Sequence, residues 1–125
     1  MASELRVNTL KDAAGANSVA TSVVFNGTAK AWGHIDQTST GHPTRDSYNI
    51  SSTSDTGAGS TRITFTSAMV NNDYCTVTTC TAVTTFEDNS CGQPITSSTM
   101  DNYNSNGTTQ TDHSRASQAV FGDLA

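Results

Sequence analysis

A chain of 125 residues, only 34% of them hydrophobic, is too short and too thinly apolar for two independent cores. Its 22 Thr, 16 Ser, 10 Asn and 9 Gly exclude an all-helical fold, because branched Thr suits a pleated surface while Ser, Asn and Gly compete for turns and caps. A net charge of −5 without any Lys/Arg cluster argues against a nucleic-acid partner, and 14% charged residues is too few for charge-driven disorder.

Chain order predicts an all-β fold, an antiparallel β-sandwich or small barrel-like domain over residues 28–125, preceded by an extended N-terminal β arm over residues 1–27. In the arm, Leu5, Val7 and Thr9 alternate with Glu4, Arg6 and Asn8, the period of a half-buried strand. Turn residues follow from Asp12 to Asn17. Ser18 to Phe25, with Val19, Val23 and Val24, predicts the second strand of a hairpin-like arm, and Asn26-Gly27 a tight turn after it.

The only Trp, Trp32, is the first core candidate, since burying a ring of this size removes roughly 150 to 250 Å² from water. Tyr48 and Ile50 alternate with polar residues, as do Ile63 and Phe65. Between them lies Asp55-Thr56-Gly57-Ala58-Gly59, so the segment predicts a hairpin with one apolar face. From Tyr74 to Phe86 a Thr- and Val-rich strand is expected to contain a bulge, because Cys75 and Val77 share one parity while Cys80, Ala82 and Phe86 share the other. Residues 87–113 predict long loops with one or two short strands. Ala119, Val120, Phe121 and Leu124 predict a last strand returning to the core, so Trp32, Tyr48, Ile50, Ile63, Phe65, Val77 and Phe121 are the expected core.

Chemistry is sparse. His34, His42 and His113 sit in Gly-, Thr- and Asp-bearing stretches that predict solvated loop side chains. Cys75, Cys80 and Cys91 are odd in number and follow no secretion signal, which predicts small buried thiols; a late Cys75-Cys80 bridge is the alternative. Their spacing suits zinc poorly, since structural sites use gaps of roughly two to four residues within a ligand pair. The acids are scattered through turns, and neither a Gly-x-Ser-x-Gly elbow nor a nucleotide-binding fingerprint occurs. No enzyme activity, metal or cofactor is expected. No apolar run nears the roughly 20 residues that cross a bilayer, so no membrane insertion is expected either.

Ser3-Glu4-Leu5-Arg6-Val7-Asn8-Thr9-Leu10-Lys11-Asp12-Ala13-Ala14-Gly15 resembles the opening of small tail-fibre-like proteins of marine and cyanobacterial phages. Phe25-Asn26-Gly27-Thr28-Ala29-Lys30-Ala31-Trp32 is similar to the stretch joining arm to domain in that family. Arg45 to Ser52 and Ile63 to Met69 resemble its first domain strands, and Ala119-Val120-Phe121-Gly122-Asp123 resembles its end. After Trp32 the sequence Gly33-His34-Ile35-Asp36 departs from the family pattern. The resemblance implies a virion structural subunit, assembled in the host cytoplasm, that forms homo-oligomers, trimers foremost, or attaches to other virion proteins.

The thin apolar content independently calls for burial supplied by assembly. Leu5, Val7, Leu10, Val19, Val23 and Phe25 of the arm are the candidate assembly contacts. A capsid decoration or head-fibre protein is the alternative within the virion. A carbohydrate-binding module that stacks Trp32, Tyr48, Tyr74 or Tyr103 on a host surface glycan is the alternative from another class, with residues 88–113 as the expected recognition loops.

Overall fold

The computed structural model describes residues 6–15, 17–81 and 89–125. Alternating side chains there form β1 (Thr9–Lys11), β2 (Ser18–Ala20), β3 (Ala31–Ile35), β4 (Thr44–Tyr48) and β5 (Ile50–Gly57). Further along come β6 (Ser60–Phe65), β7 (Cys75–Thr81), β8 (Asn89–Thr96), β9 (Thr99–Ser105) and β10 (Arg115–Phe121), and a single described helix, α1 (Thr21–Gly27), follows β2. The fold is an all-β sandwich of two antiparallel four-stranded sheets, β4-β3-β10-β7 and β5-β6-β9-β8, and β1-β2 is a separate hairpin in the arm.

Between the sheets Ile35, Ile63, Phe65, Met69, Tyr74, Met100 and Val120 are buried with Ala31 and Ala116, and Ile50 and Leu124 pack against them. Each large aliphatic side chain taken fully out of water contributes roughly 1.5 to 3 kcal/mol. Phe65 meets Tyr74 edge-on, with ring centroids 5.7 Å apart. Tyr74 also donates its hydroxyl to the carbonyls of Thr96 (3.1 Å) and Thr99 (2.7 Å), tying the start of β7 to the β8–β9 turn of the opposite sheet.

A single residue distributes the chain between the sheets. Asn49 holds φ at 57°, a left-handed conformation that Asn tolerates better than most residues. Its amide donates to the carbonyls of Lys30 and Ser67, both at 3.0 Å, and its Oδ1 accepts from Ser67 N–H at 2.7 Å. This corner sends Tyr48 into one sheet and Ile50 into the other, where Ile50 pairs with Phe65. The expected hairpin is therefore β5-β6 alone, and Tyr48 is not part of its core.

Three expected core residues are corrected. Trp32, Tyr48 and Val77 are 40%, 54% and 58% exposed. On β3 the inward positions belong to Ala31, Gly33 and Ile35, and a Cβ on Gly33 would lie 2.6 Å from both Gln118 Nε2 and Ile50 Cδ1. That interior is already filled, so the indole takes the outer side. On β7 the inward residues include Thr76 and Thr78, which press on Gly92 of β8, where a Cβ would lie 2.7 Å from Thr76 Oγ1. The sheets pinch together at this edge, and Thr76 donates to the Gly92 carbonyl at 2.9 Å. Ile63 and Phe65 lie in the core, while Ile50 and Phe121 are half-buried.

Other expectations also change. Residues 75–81 pair with β10 in an unbroken register, so this part of the strand needs no bulge, and Ala82 and Phe86 lie outside the described residues. The segment expected as long loops with one or two short strands contains the β8-β9 hairpin, whose strands are eight and seven residues long, and β9 is a central strand. Of the second expected arm strand, Ser18 to Phe25, only Ser18–Ala20 is strand, and Thr21–Gly27 is helical. Asn26-Gly27 ends that helix instead of turning a hairpin. Thr28 Oγ1 donates to the Phe25 carbonyl at 3.2 Å and Lys30 Nζ donates to it as well, a cation at a helix C-terminus.

Candidate functional site

One end of the sandwich interior is polar. His42 and His113 are buried there and His34 is half-buried on β3, which corrects the expectation of solvated loop histidines. Gln37 Nε2 donates to Thr61 Oγ1 at 3.0 Å, and Thr61 Oγ1 lies 2.7 Å from His42 Nδ1. If the Thr61 proton goes to Nδ1, the His42 proton is on Nε2, which faces Asp55 at 3.6 Å and Asp112 at 3.8 Å. Gln37 Oε1 accepts from Asn104 Nδ2 at 2.8 Å and from His113 N–H at 3.2 Å.

A hydroxyl, an imidazole and carboxylates in line are the components of a nucleophilic triad. Here Thr61 is 0% and His42 1% exposed, so no substrate reaches the hydroxyl, and the cluster serves as a polar brace between β6, β9 and the loops. Among the described residues no group of three His, Cys, Asp or Glu side chains could hold a metal ion. Cys75 and Cys91 are exposed on the outer faces of opposite sheets, and Cys80 takes the opposite side of β7 from Cys75. Cys75 and Cys80 are five residues apart on one strand, roughly 16 Å at about 3.3 Å per residue, which excludes the bridge between them.

The two outer faces differ. On β5-β6-β9-β8, Ser54, Arg62, Asp101 and Gln93 stand in one cross-strand row. Arg62 grips Asp101 with two bonds of 2.8 Å, and the Tyr103 hydroxyl donates to the same carboxylate at 3.2 Å. Asp101 holds the Arg62 pKa up, and burial, helped by the Asp101 charge, raises that of Tyr103. On β4-β3-β10-β7, Tyr48, Trp32, Ala119 and Val77 stand in one row, bordered by Asp46, His34, Ser117 and Thr79 in the next. Beside this border Arg45 pairs with Asp36 at 2.6 Å, and the Thr38 hydroxyl holds the Asp36 carboxyl below its ordinary range.

The arm is the second uncovered surface. Val7, Leu10, Val23, Val24 and Phe25 are exposed, α1 buries none of its residues, and Leu10 pairs across the hairpin with half-buried Val19. Leu5 lies outside the described residues. Leu10, Val24 and Phe25 line a concavity of about 630 Å³ on the arm. The arm meets the domain where Lys30 Nζ sits 4.0 Å from the Phe25 ring centroid, and where Asn26 and Phe121 line a cavity of about 340 Å³. Val7, Leu10, Val19, Val23 and Phe25 are the expected arm contacts among the described residues, and the structure adds Val24 on the arm with Lys30 and Ala119 on the domain. The signal for Ala119 was its parity, opposite to the apolar Val120.

No helix among the described residues is long and apolar enough to cross a membrane. Compared with known proteins, the chain matches no family model, no curated protein and no solved structure.

Proposed function

We propose that the protein is a structural subunit of a phage virion, a tail-fibre-like chain that assembles as a homo-oligomer, foremost a trimer, and is held in place by its arm. The observation that carries this reading is the arm itself. Leu10, Val23, Val24 and Phe25 are ordered in a hairpin and helix that leave them open to water, and Val7 just before the hairpin is exposed as well. A seven-residue helix with no buried residue is marginal on its own, and a partner that covers it removes both costs. The resemblance of residues 3–15 and 25–32 to tail-fibre-like proteins supports the same reading. A capsid-decoration role uses the same surfaces on another part of the particle.

Light scattering on the purified chain, repeated after deletion of residues 1–27, tests it. The buried core cluster lies between Ala31 and Val120, so the truncated domain keeps it. The expected result is an oligomer that falls to monomer on truncation while its β circular dichroism persists. A folded monomer in both cases would sink the reading.

A second reading is a carbohydrate-binding module, favoured by Trp32 and Tyr48 standing exposed in register on one sheet face. It predicts that host polysaccharide quenches the Trp32 emission and that Tyr48→Ala weakens binding, while Tyr103→Ala, on the opposite face, leaves it intact.

A further inference from the structure

The arm and the Trp32 face are both apolar and both uncovered, and they adjoin. Phe25 and Asn26 of α1 already lie over Lys30 and beside Phe121, at the end of the sheet face that carries Trp32 two residues further along β3. The next row, Tyr48–Trp32–Ala119–Val77, is left open. An arm thus begins to cover this face within its own chain and stops one row short.

Area decides between two ways of covering the rest. Four strands about 4.8 Å apart and five residues deep at about 3.3 Å each make a face of roughly 300 Å², whereas a stable interface takes about 800 Å² from each partner. Face-to-face pairing of two sheets falls well short. An arm of more than twenty residues, exposed along most of its length, brings the missing surface. Charge points the same way. Residues 1–27 carry two basic and two acidic residues, whereas residues 28–125 carry four basic and nine acidic. Pairing two domains sets like charge against like charge, and a neutral arm on an acidic domain does not.

We propose that the Tyr48–Trp32–Ala119–Val77 row is the seat for the arm of a second copy of this chain, whose Leu10–Val24–Phe25 side lies across it. The contact is heterologous, arm to face, and a ring of three such contacts closes a trimer. This rests on the virion-subunit reading and adds to it the surface that receives the arm.

Trp32 is the only Trp, so its fluorescence reports the seat directly. The experiment uses the full chain and two variants, Leu10→Ser/Phe25→Ser in the arm and Tyr48→Ser/Val77→Ser on the face. Mass by light scattering and acrylamide quenching of Trp32 are read across a concentration series, with circular dichroism confirming the fold. Both variants alter exposed side chains and are expected to stay folded. The expected result is an oligomer in which the quenching constant is at least twofold lower than in the arm variant, and a face variant that needs at least tenfold more protein to assemble. An oligomer whose Trp32 is quenched as freely as in the arm variant overturns the seat and leaves the arm-mediated assembly standing. So does an assembled particle in which added polysaccharide still protects Trp32. A wild-type chain that is monomeric at every concentration overturns both readings.

Discussion

Across one outer face of the sandwich stand Ser54, Arg62, Asp101 and Gln93, and across the other Tyr48, Trp32, Ala119 and Val77. Strand geometry is the same on both, and so is the cross-strand pairing. On the first face Arg62, Asp101 and Tyr103 satisfy one another, with Asp101 buried beneath Arg62 and Tyr103. On the second, the rings and Val77 have no such partners in the row and leave apolar surface in water. The polar face holds a nearly buried carboxylate in its ion pair, whereas the aromatic face leaves Trp32, Tyr48 and Val77 40%, 54% and 58% exposed.

The largest expected effect falls on the corner that separates the faces. Asn49→Ala loses three hydrogen bonds and places a Cβ residue without a local polar partner at φ 57°, for a cost of about 3 kcal/mol. Asn49→Gly accepts the backbone and forfeits only the bonds, so it is expected to recover about 1 kcal/mol of that loss. Urea denaturation of both variants measures the difference. Equal stability of Asn49→Ala and the parent chain would mean that the corner does not hold Tyr48 and Ile50 in separate sheets.

Next in size is Arg62→Met. It strands a nearly buried carboxylate, although the guanidinium itself is 44% exposed and water reaches the pair, so the urea midpoint is expected to fall clearly but by less than for a sealed ion pair. The matching change on the other face, Val77→Thr at a position 58% exposed on the edge strand β7, keeps the branched side chain and is expected to stay within about 0.5 kcal/mol in a monomeric background. Should the two variants shift the urea midpoint equally, the contrast between the faces fails.

Much of the architecture was legible because alternation is a strong signal where the inward residue is aliphatic. Ile63 and Phe65 announced β6, and the β5-β6 hairpin followed from the Gly57-Ala58-Gly59 turn, whose Gly59 takes φ 65° with its backbone against Asn104 and Thr111. β9 was illegible because two of its inward side chains are Asn102 and Asn104, buried through hydrogen bonds to Gln118 and Gln37 that no local pattern reveals. Trp32 misled because size argues for burial only when the inside has room, and Gly33 shows that it has none. The β1-β2 pairing was readable as a hairpin, whereas the helix after it was not, since Val23 and Val24 favour strands and α1 lacks a side-chain N-cap bond. The aromatic face emerged only from the register, which set Tyr48 beside Trp32.

Smaller than the Arg62 effect is that of the clamp that keeps the two faces on one body. Tyr74 reaches from the β7 end of one sheet to the carbonyls of Thr96 and Thr99 in the other, and burial pushes its pKa from the ordinary 10 up to about 12. A raised value means that folding favours the protonated phenol, the form that donates those bonds. The contribution is therefore fully present below about pH 10, where the unfolded chain also keeps its proton, and is lost as pH rises from there toward 12. Tyr74→Phe removes the donor at every pH and is expected to cost about 1 kcal/mol at pH 8. Because all other groups titrate alike in the two proteins, the gap between their urea midpoints isolates this phenol. It should close as pH rises from 10 to 12. The absence of any gap at pH 8 would show that the Tyr74 ring, through its packing on Phe65, joins the sheets and that its hydroxyl does not.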